Sequence, residues 1–540
     1  MGLISDLEVS EALEGLDIRT IERASDELWY DLPVRFAEPL LRAVARLDDA
    51  TVEAHPRLLL AAFFAHAFIS SPGDVSLARA RHFYLTRGPH YAARLAAFRD
   101  PGDLVAAGMA AMIGARMRGA LSTAERIGER VEHLMGRVDV YAHLPWSRHR
   151  SGSRPGWVAA QRAFVALFDG RWDDAIGFLN RAFLEIGPPP HHHVAGVNAC
   201  ANLVFFNACH GYTSRAREWL VELQQLPPVP EPIAHLAMMG ADLGRAWLAM
   251  DEMDLPRATE AVDAAGVATD QVEHWPWIAS TRARLDLLLD QPVAGLARLE
   301  EACTAHGVTL SGAPGGGVVQ RAFAELRLAE GNGTTAIELA RQGRSPAYVA
   351  PAAARAYLLS DEPRRAIRVA AHALRAHTIG PRAALDLQLS LAIAYLRVGD
   401  ADAARECAEH VHAMFQVVGD RTVFRDVEPS ELQMIWAVAP RSSAMVHEGR
   451  AWRRAKPRIV SLTARERLVL EHLAGEASVV DIAARLTVAV STVRSQVRSI
   501  YRKLEVRNRE DAVAQAVALG LLHGRPPLDG DVATAPRAPC

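Results

Sequence analysis

A turn residue followed five positions later by Ala or Gly recurs along most of this 540-residue chain. Two clear copies run from Ala163 through Gly170 and Ala175 to Ala182, and from Leu391 through Gly399 and Ala404 to Ala408. In both, an apolar helical stretch precedes the turn, and an apolar residue (Leu179, Ala408) follows the small one by four. The same offset appears at Gly73/Ala78, Gly119/Ala124, Gly211/Ala216, Met253/Ala258, Asp290/Gly295, Gly331/Ala336 and Asp361/Ala366, which makes nine candidate units. From Ala175 onward the units are spaced by 41, 42, 37, 41, 30 and 38 residues. A helical hairpin explains the constraint. Its two helices approach each other early in the second, where only a small side chain leaves room for the facing backbone. Repetition at a period near forty predicts stacked hairpins, each burying the face that its neighbour leaves open.

Composition agrees with an all-α chain. Aromatics make up only 6% of the residues, β-branched runs are scarce, and Ala, Leu and Arg dominate. The five cysteines are odd in number and mostly far apart, which indicates neither a disulfide framework nor a zinc knuckle and fits a reducing cytoplasm. The first residues carry acids where a signal peptide would be apolar, and no stretch of the ~18 residues that a membrane helix needs is apolar throughout. A cytoplasmic location without membrane insertion is expected.

The net charge of −3 conceals an uneven distribution: residues 450–525 hold 15 Lys or Arg against seven acids, a balance of +8, and the remainder of the chain is −11. A basic module on an acidic body suits contact with a polyanion through the module alone. Within it, Thr463 with Glu466 and Ser478 with Asp481 are capping-box starts, and Asn508 with Asp511 opens a last helix. Apolar residues between these starts fall at helical spacing: Val469, Leu470 and Leu473; Ile482, Ala483 and Leu486; Val493, Val497, Ile500 and Leu504. Four short helices, the second and third joined through Thr487 to Val490, make a helix-turn-helix. On the third, Ser491, Arg494, Ser495, Arg498 and Arg502 form a cationic stripe away from the apolar one, suited to a DNA major groove.

This module resembles the LuxR-type DNA-binding domain through Leu462, Thr463, Arg465, Glu466, Ser478, Ile482, Ala483, Leu486, Thr492, Val493, Arg494, Ile500, Lys503, Leu504, Val506, Arg509 and Ala512. The resemblance implies that Thr492, Arg494 and Arg498 contact DNA and that Thr463 and Lys503 lie near phosphates. Departures stand at Glu476, where the family has Gly; at Val479 and Val480, in place of Asn-Lys; at Ala489, in place of a capping Ser; and at Gln496, in place of His. Glu476 is expected to weaken DNA binding by repulsion, and exposed Val479 and Val480 invite a protein contact. A sigma-factor-like helix-turn-helix shares this geometry. The repeats resemble tetratricopeptide-like units, and stretches from Ala54 and from Glu273 look like the sensor arm of large LuxR-type regulators.

Those large regulators carry an ATP-binding domain, but here no phosphate-loop motif exists and Lys occurs only at 456 and 503. No acidic receiver cluster and no catalytic constellation is assignable, so neither an enzyme nor a cofactor is expected. His191, His192 and His193 on a Pro-rich turn are poorly disposed to share one metal, and none is expected. Trp275 and Trp277 either fill core or line a ligand pocket; Arg450, Arg453, Arg454, Lys456 and Arg458 form either a DNA-contacting arm or a solvated linker.

The expected organisation is a helical-repeat sensor or interaction domain at 1–418, a linker at 419–456, the helix-turn-helix domain at 457–523 and a disordered tail at 524–540. The expected function is a bacterial transcription regulator that binds double-stranded DNA as a homodimer, gated by a small molecule or protein on the repeats. Its DNA-binding set is Thr463, Ser491, Thr492, Arg494, Ser495, Arg498, Arg502 and Lys503, and its dimer face is Val513, Ala516, Val517 and Leu519. The alternative is an interaction scaffold whose helix-turn-helix docks a protein partner.

Overall fold

In the computed structural model, the described residues are 4–28, 31–69, 75–137, 156–185, 194–229, 231–266, 273–309, 315, 317–342, 346–376, 379–425, 427–439, 457–475 and 477–522. Among them the fold is all-α, and the single β-type pairing is an isolated parallel bridge between Asn332 and Arg458. No described helix is long and apolar enough to cross a membrane.

Eight hairpins fall where the small-residue offset places them: Pro101–Met117 with Leu121–Arg137, Trp157–Phe168 with Trp172–Glu185, Val194–His210 with Thr213–Gln225, and Glu231–Asp251 with Leu255–Gly266. They continue through Trp275–Leu288 with Pro292–Ala305, Val318–Ala329 with Gly333–Gln342, Pro346–Leu359 with Pro363–Leu374, and Pro381–Val398 with Ala401–Val418. The ninth candidate turn, at Gly73, lies outside the described residues.

The offset has a backbone cause. All eight turn residues adopt positive φ, from 60° at Asp361 to 106° at Gly211. In each case the next amide donates to the carbonyl five residues back, as from Arg171 to Ala166 at 2.9 Å and from Tyr212 to Asn207 at 2.8 Å. That bond ends the first helix and reverses the chain at once. Five residues after the turn the second helix has completed its first turn against the first helix. There Ala124, Ala175, Ala216, Ala258, Ala336, Ala366 and Ala404 are fully buried. At Gly295 a Cβ would stand 2.8 Å from the Asp286 Cβ and 2.9 Å from the Leu326 Cδ2, closer than side-chain carbons approach.

The ends of the array depart from the expected boundaries. At the N-terminus, Asp6–Gly15, Ile18–Glu27, Asp31–Arg35, Ala37–Ala45 and Asp49–Ala54 are short helices gathered on Pro56–Ile69, around Leu13, Ile21, Leu32, Leu40 and Leu58. Arg57 ties them to the first hairpin, binding Asp26 at 2.6 Å and Asp103 at 2.8 Å. At the other end the packed body continues past Gly419, so the expected linker start is corrected. A 3-10 turn at Arg421–Phe424 and a helix at Pro429–Val438 bury Asp420, Phe424 and Ile435 against the last hairpin. This apolar spacing is too short to stand out in sequence, since it amounts to about one helical face of Leu432, Ile435 and Trp436. Residues 440–456, with most of the basic run, the His191–His193 stretch and the tail at 524–540 lie outside the described residues.

Candidate nucleic-acid interface

The C-terminal module is built from Ala464–Ala474, Val479–Leu486, Val490–Leu504 and Arg509–Ala518. Both capping boxes form, Thr463 with Glu466 and Ser478 with Asp481, and Asn508 accepts the Asp511 amide. Thr487, at φ 54°, makes the tight turn between the second and third helices, and the Val488 amide reaches back to Ala483 at 3.0 Å. The third helix starts on Ala489, which has no side-chain cap. Val469, Leu470, Ile482, Val493, Ile500 and Leu504 are buried together in the module's core, with Val497 half-buried beside them.

Turning the apolar stripe inward leaves Ser491, Arg494, Ser495, Arg498 and Arg502 exposed on the third helix, with Thr492 half-buried at its start. Three guanidinium groups therefore stand along one open helical face, spaced to meet base edges or phosphates of a groove. Thr463 and Lys503 sit apart from this stripe, on Glu466. Lys503 Nζ lies 2.6 Å from Glu466 Oε2, the Ser499 hydroxyl donates to Oε1 at 2.7 Å, and the Thr463 amide donates to Oε2 at 2.7 Å. Burial raises the Glu466 carboxyl, but the hydrogen bonds from Lys503, Thr463 and Ser499 outweigh it and hold the pKa at about 2. The hydrogen bonds of Thr463, Glu466 and Lys503 thus pin the first helix to the third. Arg509 has a similar task, its Nε donating to the Leu473 carbonyl at 2.9 Å at the end of the first helix.

Of the residues expected on a dimer face, Ala516 and Leu519 belong to the module's own core, Val513 is half-buried and Val517 is exposed. Val480 is exposed and Val479 half-buried; Glu476 lies outside the described residues. Trp275 is buried and stacks on His306 with ring centroids 4.4 Å apart, which settles it as core, and Trp277 is buried edge-on against Phe168. Among the described residues no group of His, Cys, Asp or Glu is disposed to hold a metal.

Sequence reasoning missed how the module is held. Its leading segment lies along the Gly331–Thr335 turn of the sixth hairpin. Arg458 donates its amide to the Gly331 carbonyl at 2.7 Å, the Gly333 amide donates to Arg458 at 3.1 Å, and the Val460 amide donates to the Thr334 hydroxyl at 2.8 Å. At the module's far end the Thr335 hydroxyl donates to the Leu519 carbonyl at 3.2 Å. Arg467 then closes the contact on Glu338, donating from Nη1 to Oε2 at 2.9 Å and from Nη2 to Oε1 at 2.8 Å. The sequence leaves no trace of it: the turn offers the hydroxyls of Thr334 and Thr335, but the Gly119 and Gly211 turns also carry two, Ser122 with Thr123 and Thr213 with Ser214.

Four packed helices with a tight second-to-third turn and a cationic third-helix face define a helix-turn-helix domain. Residues 460–516 match the family described as bacterial regulatory proteins, luxR family, and the chain carries a LuxR-type domain at this end. Over 74 residues the chain is 46% identical to the probable transcriptional regulatory protein NarL of Mycobacterium tuberculosis strain CDC 1551 / Oshkosh, and equally to that of strain ATCC 25618 / H37Rv. The match covers 14% of this chain and 34% of the relatives, so the chain spans about a third of the length of the curated proteins it matches.

Proposed function

We propose that this protein is a transcription regulator that binds double-stranded DNA through Ser491, Thr492, Arg494, Ser495, Arg498 and Arg502, under the control of an effector or partner held by the helical repeats. The observation that carries the reading is the placement of the third helix. Its cationic face is open, and the module is fastened to the repeats by other surfaces, through Arg458, Arg467 and the Leu519 carbonyl. The luxR-family match over 460–516 supports DNA as the polyanion. Two copies would read adjacent half-sites about one helical turn apart, with exposed Val517 in the pairing surface.

The repeats enter the mechanism through the Gly331–Glu338 contact. An effector that alters the seat of the sixth hairpin changes the orientations available to the module, and so how often two modules meet properly spaced half-sites. Selection from pooled random duplex DNA, followed by a salt titration of enriched sites, tests the proposal. An enriched palindrome with a steep salt slope is the expected result. A second reading, a module that docks a protein, draws on exposed Val480 and Leu468. It predicts no enriched DNA and a partner contact nearly indifferent to salt.

A further inference from the structure

The repeat array closes back on itself. Arg382, at the start of the eighth hairpin, reaches the ends of two earlier helices, meeting Asp251 at 2.5 and 2.7 Å and the carbonyls of Ala208 at 2.8 Å and Cys209 at 3.2 Å. Its Nη1 also binds Asp420 at 2.7 Å, and the Thr213 hydroxyl donates to the Val417 carbonyl at 2.9 Å across the same seam. The guanidinium groups of Arg382 and Arg284 both lie over Trp247, 4.9 and 4.7 Å from its ring centre.

Inside this closure is a chamber with two ends. One is aromatic, walled by Phe205, Trp247, Trp277 and Tyr348. The other is charged: Arg284, Arg321, Arg355, Arg382 and Arg425 line it against Glu325, Asp386 and Asp420, and with Asp251, the partner of Arg382, guanidinium groups outnumber carboxylates five to four. Arg284, Arg321, Glu325 and Arg382 line both ends, so the two adjoin across these four side chains. The free space is small, about 50 Å³ at the charged end and about 30 Å³ at the aromatic one.

At the charged end one buried donor has no acceptor, the Arg284 Nε. A buried N–H without a partner has lost its water and gained nothing in exchange. The orphaned atom is a donor, so the missing component there is an acceptor, and the guanidinium excess calls for a negative one. The aromatic walls call for an apolar body behind it.

We propose that this chamber is an effector site for a small organic acid, with one carboxylate at Arg284, Arg321 and Arg382 and a ring or short apolar chain facing Trp277 and Tyr348. The inference rests on the reading of the repeats as the regulator's sensing arm. Because Arg382 and Asp420 wall the chamber and also fasten the seam, a bound acid ties the two sides of the closure together.

The test titrates the full chain with benzoate and butyrate, with benzyl alcohol and inorganic phosphate as comparisons, following tryptophan fluorescence and melting temperature. Saturable binding of an acid is expected, at least tenfold tighter than benzyl alcohol or phosphate. Ala322→Leu, which fills the aromatic end and removes no charge, and Arg284→Gln, checked for folding by circular dichroism, each weaken it at least tenfold. Absence of saturable binding by either acid, binding by benzyl alcohol or phosphate as tight as by the acid, or binding undiminished in a folded Ala322→Leu protein overturns the proposal. DNA binding is measured on the same samples: intact DNA binding without acid binding sinks the chamber alone, and acid binding without DNA binding sinks the regulator reading alone.

Discussion

The guanidinium of Arg467 meets both carboxylate oxygens of Glu338, at 2.9 and 2.8 Å, and joins the helix-turn-helix module to the sixth hairpin of the repeats. Glu338 is 8% exposed and Arg467 13%, so water screens this bidentate pair little. Two residues 129 positions apart in sequence thereby help to set where the cationic face of the third helix points.

Breaking that pair loosens the module without unfolding either part. Glu338→Gln removes the charge and leaves Arg467 partly buried, at a cost of about 3 kcal/mol to the docked arrangement. Hydrogen exchange followed by mass spectrometry is expected to show faster exchange at the Gly333, Arg458 and Val460 amides, with the Ala464–Ala474 helix protected as before. Unchanged exchange at these three amides counts against a dock that depends on the pair.

Under the proposed function, Arg494→Ala and Arg498→Ala are expected to weaken DNA binding and spare the fold. Both side chains are exposed, and each replacement is expected to lower specific affinity by about 1–3 kcal/mol if it reads a base, or mainly to flatten the salt dependence if it meets a phosphate. Affinity titrations at two salt concentrations separate these roles. Lys503→Ala is expected to lower the module's melting temperature, because it strips Glu466 of its nearest cation.

Acid should unlatch the first helix of the module from the third. Glu466 has its pKa lowered from 4.5 to about 2, so its folded form holds a proton less readily than its unfolded form. The stability it contributes is fully present above pH 4.5 and is lost as pH falls through the interval down to about 2. Melting of the full chain across this range is expected to show an acid-labile transition for the module that Glu466→Gln makes less steep.

Met253 holds a left-handed turn with φ 62° at the place where most other hairpins have Gly, and its side chain is 40% exposed. Met253→Gly is therefore expected to raise stability by roughly 0.5–1 kcal/mol, the relief of left-handed strain exceeding the entropy cost of glycine. Ala258→Leu, five residues on at a fully buried contact, is expected to lower it by about 1–3 kcal/mol or more. Thermal or urea unfolding reads both signs.

Local rules made much of this legible in advance. The turn-plus-five offset found eight hairpins because its two causes, a left-handed helix stop and a close helix crossing, both act within a few residues. Capping boxes at Thr463 and Ser478 likewise named their helices. The same logic failed beyond Gly419, where Asp420 and Phe424 are buried by the preceding hairpin and by no periodicity of their own. It also assigned Ala516 and Leu519 to an outer face, although their side chains complete the module's core. Helical spacing shows that a side is apolar; it does not say which neighbour covers it.

The sequence by itself determined the helices, the hairpin repeat, the helix-turn-helix and the cationic stripe from Ser491 to Arg502, because each follows from contacts within one or two helical turns. Only the tertiary structure decided that Arg382 closes the array on Asp251, that Lys503 belongs to Glu466, and that Arg467 seats the module on Glu338. An arginine looks the same in sequence whether its partner is a phosphate, a solvent ion or a carboxylate far along the chain. Its role is decided by which acid the packed helices bring within hydrogen-bonding distance and shield from water.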